Sequence, residues 1–199
     1  MLIILVSGKS NSGKGEVSKK LEQLLKSKNK HVIRCSLSTY IRELTKNDFY
    51  WNGIDTLESS IFMGEVYRVG TDFYSHHMAR RVWERDIRPY SNKDTIAIVE
   101  SFREKVNYDY FCILLDEGII DKITTIRVIR PDFNAIQDKD MENHVSESDV
   151  DNFKFDYIIE NSGTIEELYV KLDGLVGNII EGEKWWVKQD QQSILISMK

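Results

Sequence analysis

Cysteine is scarce: only Cys35 and Cys112 occur in 199 residues, each among apolar neighbours. Such a pair reads as two buried free thiols rather than a disulfide framework, and it fits a reducing, cytoplasmic setting. The four histidines, His31, His76, His77 and His144, lack the spacing to cysteine or carboxylate that a metal site made of side chains requires. No apolar run approaches the about 18 residues of a membrane span, and the N-terminal run lacks the basic flank of a signal peptide. Positive charge is also short: 27 Lys and Arg stand against 32 Asp and Glu, a formal net charge of −5 at pH 7. That excludes the basic surface of a general nucleic-acid binder. Neither an internal repeat nor a low-complexity stretch occurs. With 41% hydrophobic and 30% charged residues, the chain has the make-up of one soluble α/β domain with a substantial core.

Against this plain background one stretch stands out. Gly8-Lys9-Ser10-Asn11-Ser12-Gly13-Lys14-Gly15 follows directly on the apolar run of residues 2–6, with the G-x-x-x-x-G-K spacing of a phosphate-binding loop. The spacing has a chemical reason. Glycines at both ends let the backbone turn tightly, so that successive N–H groups point inward around an anion. Lys14 adds a mobile positive charge for the outer phosphates, and a helix starting there contributes its N-terminal N–H groups and dipole. Val17, Leu21, Leu24 and Leu25 then follow i, i+4, i+7, i+8, an amphipathic helix. This strand–loop–helix setting separates the motif from a solvated Gly/Ser turn. The expected phosphate-binding set is Gly8, Ser10, Asn11, Ser12, Gly13, Lys14, Gly15 and Glu16. Gly15 is a departure: it occupies the place where such loops carry the Ser or Thr that binds Mg²⁺.

Beyond the loop, strand-like and helix-like stretches alternate, which predicts a parallel sheet with crossover helices. Further strands are expected at residues 31–35, 95–99, 123–130 and 155–160, and helices at 40–46, 104–117 and 165–180. Ser36 or Ser38 would cap the first of these helices, and Gly118 would stop the second. From residue 57 the apolar positions Ile61, Val66, Val69 and Phe73 keep helical spacing, and the charged face continues to about residues 88–89. Residues 132–150 are polar and acidic and read as a loop.

In open α/β sheets, ligands bind beyond the carboxyl ends of the strands. The third strand is followed by Glu100, Ser101 and Arg103; the fourth ends in Arg127 and Arg130, before Pro131. A carboxylate after one strand with arginines after two others is what phosphoryl transfer needs. The carboxylate orders Mg²⁺ and its waters, and the arginines neutralise the phosphates and the charge moving between them. Two plainer readings stay open: Glu100 as a helix cap, and Arg127 as a surface residue of its strand. His76-His77 reads as a pair on a helix surface rather than a proton relay, because transfer to a phosphate needs little general base. Trp185-Trp186 reads as part of a small C-terminal hairpin.

Here the chain resembles the P-loop nucleoside and deoxynucleoside monophosphate kinases, in particular the deoxynucleoside monophosphate kinases of phage and bacteria, with dephospho-CoA kinase as a cousin. Tyr50-Trp51-Asn52-Gly53 and Val69-Gly70-Thr71-Asp72 look like the family's W-D-G and L-G-T-D/E stretches on the acceptor side. Val99-Glu100-Ser101-Phe102-Arg103 resembles its V-D-S-x-R segment, and Ile126-Arg127-Val128-Ile129-Arg130-Pro131 the V-x-V-x-R-P segment that opens the lid. His144-Val145-Ser146-Glu147 and the run from Phe155-Asp156 through Asn161-Ser162-Gly163-Thr164 to Glu166-Glu167-Leu168 resemble its ending. Two arginines common in related sequences are replaced here by Met63 and Ser75; Arg68, Arg80 and Arg81 stand nearby as substitutes.

The resemblance implies a three-layer P-loop nucleoside triphosphate hydrolase-type fold around a central parallel five-stranded sheet. Residues 1–180 would form the kinase domain, with acceptor-binding helices at about 36–90 and a lid at about 131–150, and residues 181–199 an extension. The implied activity is ATP-dependent phosphorylation of a nucleoside or deoxynucleoside monophosphate. Alternatives are phosphotransfer of the dephospho-CoA kinase kind, or a nucleotide-binding protein without catalysis. Lys14, Arg103, Arg130 and Arg127 would be catalytic, Glu100 would order Mg²⁺, and Tyr40, Trp51, Arg68 and Asp72 would meet the acceptor. Nucleotides are the expected partners, with neither nucleic acid nor membrane, and a homodimer is left open.

Overall fold

The computed structural model describes residues 1–9, 11–54, 56–73, 76–131, 151 and 153–181, and among these the side chains of all but residues 57, 60, 67, 68, 70–73 and 181. Ser10, the expected lid from residue 132 onward, and the expected C-terminal hairpin with Trp185-Trp186 lie outside the described residues. The strands are β1 (Leu2–Ser7), β2 (His31–Ser36), β3 (Thr95–Phe102), β4 (Lys122–Ile129) and β5 (Tyr157–Glu160). They form one sheet in the order β2-β3-β1-β4-β5, with every neighbouring pair parallel. The helices are α1 (Lys14–Ser27), α2 (Thr39–Asp48), α3 (Leu57–Phe73), α4 (His77–Val82), α5 (Lys105–Asp116) and α6 (Ile165–Glu181).

The sheet is buried on both faces, which is why its central strand reads as an unbroken apolar run. Ile3 and Leu5 point into a core shared with Leu37, Ile41, Met78 and Phe111. Ile4 and Val6 point to the opposite face, packed by Val17, Leu21 and Leu25 of α1 and Leu168, Leu172 and Val176 of α6. Three layers result, as the alternation of elements predicts. Cys35 and Cys112 are free and half-buried. Burial pushes the Cys35 thiol up to about 12. No helix among the described residues is long and apolar enough to cross a membrane.

Several local expectations are corrected. The helical spacing from residue 57 does not run through to residues 88–89: α3 ends at Phe73, and His76 takes a left-handed conformation, φ 65°, directly before α4. A π-helical turn, Trp83–Ile87, and a 3₁₀ turn, Arg88–Tyr90, then complete the segment. Ile61 and Val69 are exposed, because α3 packs on α2 and α4 rather than on the sheet; Met63 and Val66 are its partly buried contacts with the core. β5 starts at Tyr157, not at residue 155. Glu100 lies within β3 and does not cap α5, whose first turn is preceded by Glu104. Ser38 precedes α2 but its hydroxyl makes no cap. Gly118, φ 69°, does end α5.

Candidate functional site

The phosphate loop connects β1 to α1 at the carboxyl edge of the sheet. Gly8 has φ 151° and Gly13 φ 96°, both in the region that favours glycine. Neither position has room for a side chain. A Cβ on Gly8 would lie 2.5 Å from the Val128 carbonyl and 2.6 Å from Ser12 Oγ, and one on Gly13 would collide with the Asn161 amide. Lys14 opens α1, and its ammonium donates to the Lys9 carbonyl at 2.6 Å, across the loop. Ser12 Oγ lies inside this turn, buried and without a hydrogen-bond partner among the described residues; Ser7 Oγ and Ser18 Oγ share that condition. A cradle closed to any Cβ, with an unpaired buried hydroxyl and a lysine over it, fits an oxyanion such as a nucleotide phosphate. Gly15 leaves open space where a side chain would stand. Glu16 turns its carboxylate away toward α6, where it accepts a hydrogen bond from the Tyr169 hydroxyl.

The strand ends place the other groups. In register, Glu100 lies beside Val6 and Arg127 beside Ser7, so both flank the start of the loop. Glu100 Oε1 accepts from Arg34 Nη1 at 2.7 Å, and Arg34 Nε reaches Glu22 of α1 at 2.8 Å. These two carboxylates hold the Arg34 guanidinium above its ordinary range, Glu100 most strongly. Glu100 Oε2 makes no hydrogen bond among the described residues, which leaves one carboxylate oxygen for a hydrated cation. Arg103 is half-buried directly after β3, and Arg130 is exposed directly after β4. Arg127 is largely covered: it pairs with Asp151, and its guanidinium lies 5.5 Å from the Phe155 ring centre. The reading of Arg127 as a plain surface residue is therefore corrected.

At Ser101 the β3 ladder shifts register, and Ser101 itself is left-handed, φ 63°. This bulge re-aims the end of the strand. Phe102 drops fully into the core, while Ser101 Oγ joins Ser36 Oγ at 3.1 Å and Ser38 Oγ at 3.4 Å.

Of the residues expected to meet an acceptor, Tyr40 sits in the first turn of α2. Its ring lies under the Arg81 guanidinium at 3.8 Å and edge-on to His77 at 6.0 Å. Burial, with Arg81 beside it, holds the His77 imidazole below its ordinary range. His77, Arg80, Arg81, Glu84 and Arg85 line a cleft of about 380 Å³. His76 is not on a helix surface, as the sequence reading had it: its Nδ1 lies 2.8 Å from the Val106 carbonyl and ties the start of α4 to the start of α5. Trp51 is used within its own loop, donating from Nε1 to the Ile54 carbonyl at 2.7 Å. Arg68 and Asp72 lie in α3, with side chains outside the described ones.

No protein-family model matches the sequence, and no curated protein matches it. Solved structures do match. The dephospho-CoA kinase from Campylobacter jejuni superposes with a TM-score of 0.50 at 12% identity, over 92% of this chain and 99% of that one. A thymidylate kinase from Ehrlichia chaffeensis gives a TM-score of 0.48 at 16% identity, over 88% and 97% of the two chains. The fold is that of the P-loop kinases.

Sequence reasoning passed over two groups that shape the site. Asn161, just past β5, donates from Nδ2 to the Ser12 carbonyl at 3.0 Å and fixes the loop from outside. Its signal was the Asn-Ser-Gly turn after the last strand. Arg34 carried none, since its partners are 12 and 66 residues away in the chain.

Proposed function

We propose that this protein transfers a phosphoryl group from ATP to a nucleoside or deoxynucleoside monophosphate. The observation that carries the reading is the phosphate cradle: Gly8 and Gly13 admit no Cβ, Ser12 Oγ is buried unpaired inside the turn, and Lys14 stands at the start of α1. The backbone N–H groups of the loop and Lys14 bind the donor phosphates. Mg²⁺, when bound, neutralises phosphate charge, and Glu100 is the residue to hold its hydration shell. Arg103 and Arg130, after the ends of β3 and β4 on either side of β1, stabilise the negative charge as it moves between donor and acceptor. Arg127 supports them from deeper in the sheet. Tyr40, Trp51, Arg68 and Asp72 belong to the acceptor side. The protein acts in the cytoplasm as a soluble enzyme.

Two other readings have observations of their own. The superposition on a dephospho-CoA kinase favours a hydroxyl acceptor in place of a phosphate. Gly15, Met63 and Ser75 favour a nucleotide-binding protein that has lost catalysis. A coupled ADP-release assay across the common nucleoside and deoxynucleoside monophosphates and dephospho-CoA separates them. ADP is expected with at least one deoxynucleoside monophosphate and not with ATP alone; ATP binding without turnover on any acceptor overturns the kinase reading.

A further inference from the structure

Asn161 follows β5 directly, and its backbone is held from both ends before its side chain reaches the phosphate loop. Its own N–H donates to the Ile129 carbonyl at 2.7 Å. The carbonyl of Glu160, just before it, accepts from Lys171 Nζ of α6 at 2.8 Å. Three residues on, Thr164 and Glu167 cap the start of α6 reciprocally. The Thr164 N–H donates to Glu167 Oε2 at 2.9 Å, and the Glu167 N–H donates to Thr164 Oγ1 at 3.3 Å. The turn of residues 161–164 is therefore tied to β4 on one side and to α6 on the other, and the Asn161 amide is carried in a set place.

What that amide meets is a single peptide unit of the loop. Asn161 Nδ2 donates to the Ser12 carbonyl at 3.0 Å, and the same nitrogen would lie 2.4 Å from a Cβ on Gly13. The Ser12 carbonyl and the Gly13 N–H belong to one planar trans unit, in which they point in opposite directions. A donor that holds the carbonyl on one side turns the N–H to the other, away from Asn161 and into the turn. The Gly13 N–H has no acceptor among the described residues, whereas the Ser12 N–H is already given to the Lys9 carbonyl at 3.2 Å. Glycine also leaves this unit loose, because positive and negative φ are about equally open to it. Unheld, the unit would present a carbonyl oxygen to the cradle as readily as an N–H, and a carbonyl oxygen repels a phosphate.

We propose that Asn161 is a positioning residue of the donor site: by holding the Ser12 carbonyl from behind, it aims the Gly13 N–H at a phosphate of the donor. The inference rests on the donor half of the reading above and adds the group that keeps this N–H turned inward before any anion arrives. Asn161 touches no ligand in this role and acts through the peptide unit alone. Its loss leaves Lys14 and the charge of the cradle as they are, and frees the unit to turn its oxygen toward the phosphate.

The test reads that peptide unit. ¹H–¹⁵N NMR follows the Gly13 and Gly15 amides of wild type, Asn161→Ala and Asn161→Leu while ADP or inorganic pyrophosphate is added, and calorimetry gives the affinities. Asn161→Leu keeps nearly the shape of the side chain without its donor. In wild type the Gly13 amide proton should move downfield as it bonds a phosphate oxygen. Both variants should lose most of that movement, while Gly15, already inside α1, keeps its own. Their affinities for ADP and for pyrophosphate should fall together by about 10- to 100-fold, the worth of one hydrogen bond to a charged group. Both keep the backbone bond to Ile129, so the thermal midpoint should fall by only about 2–4 °C. Gly13 movement and affinities equal to wild type in either folded variant overturn this inference and leave the phosphate cradle standing. Weaker ADP binding with unchanged pyrophosphate binding also overturns it, since Asn161 would then serve the nucleoside end. A wild type that binds neither ligand, or binds both without moving Gly13, overturns it together with the donor reading.

Discussion

Arg130 stands one residue past β4, and Pro131 prevents the ladder from simply running on. Donor and acceptor together bring about six negative charges into one cleft near neutral pH. Lys14 and Mg²⁺ offset about half of these, so arginines must supply the rest. Losing a donor aimed at transition-state charge typically costs about 100- to 1,000-fold in kcat. Arg130→Ala is expected to show a fall of that size in steady-state kinetics, with ATP affinity nearly kept. A wild-type kcat in the variant would return Arg130 to a surface role. Single residues were also where the sequence was most uneven as a guide. Gly8, Gly13 and Lys14 announce themselves because the chemistry of a phosphate cradle demands those types at that spacing. Asn161, which touches the same loop from 149 residues away, carries only the fainter signal of its Asn-Ser-Gly turn.

Among the elements, β3 holds most of what the site requires and the sequence concealed. Its run of apolar residues predicts a buried strand, but not the bulge at Ser101 that turns Phe102 into the core. Phe102 is wholly buried, with Phe153 edge-on at 5.3 Å and Phe155 at 6.1 Å. Truncating a buried phenylalanine costs about 3–5 kcal/mol. Phe102→Ala should lose about that much in urea unfolding, and a loss below about 1 kcal/mol would show that the bulge is not anchored by this ring. A second element-scale feature is the chain of ion pairs from Lys26 through Glu22 and Arg34 to Glu100. Lys26 above all, then Arg34, holds the Glu22 carboxyl below its ordinary value of 4.5. A depressed carboxyl contributes stability that is present above its ordinary pKa and lost as pH falls through the lowered one. Glu22 is partly exposed, so the contribution is at most about 1 kcal/mol. Glu22→Gln should therefore flatten the acid side of the stability–pH curve by about that amount, as read by urea titrations from neutral pH downward; an unchanged acid limb would assign the lowered pKa no role in stability.

Across the whole molecule, the alternation of elements, the parallel sheet and the two buried faces were legible because each depends on local patterning: continuous apolar strands, period-3.6 helices, and a glycine loop at the first turn. The break at His76 was not. Helical periodicity passes through it unchanged, while His76 turns left-handed and bonds Val106 at the start of α5. That turn brings Tyr40, His77 and Arg81 together across α2 and α4, a juxtaposition that spacing along the chain does not reveal. The account as a whole claims that the phosphoryl group from ATP lands on the phosphate of a nucleotide. The most direct measurement is ³¹P NMR of the products from a reaction with ATP, Mg²⁺ and the best acceptor, run with wild type and with Lys14→Ala. The account predicts a new pair of coupled doublets from the phosphoanhydride of a nucleoside diphosphate acceptor product, formed alongside ADP by wild type and absent with Lys14→Ala. A phosphomonoester singlet on a hydroxyl acceptor, ADP and inorganic phosphate as the only products, or the same doublets from Lys14→Ala would contradict it.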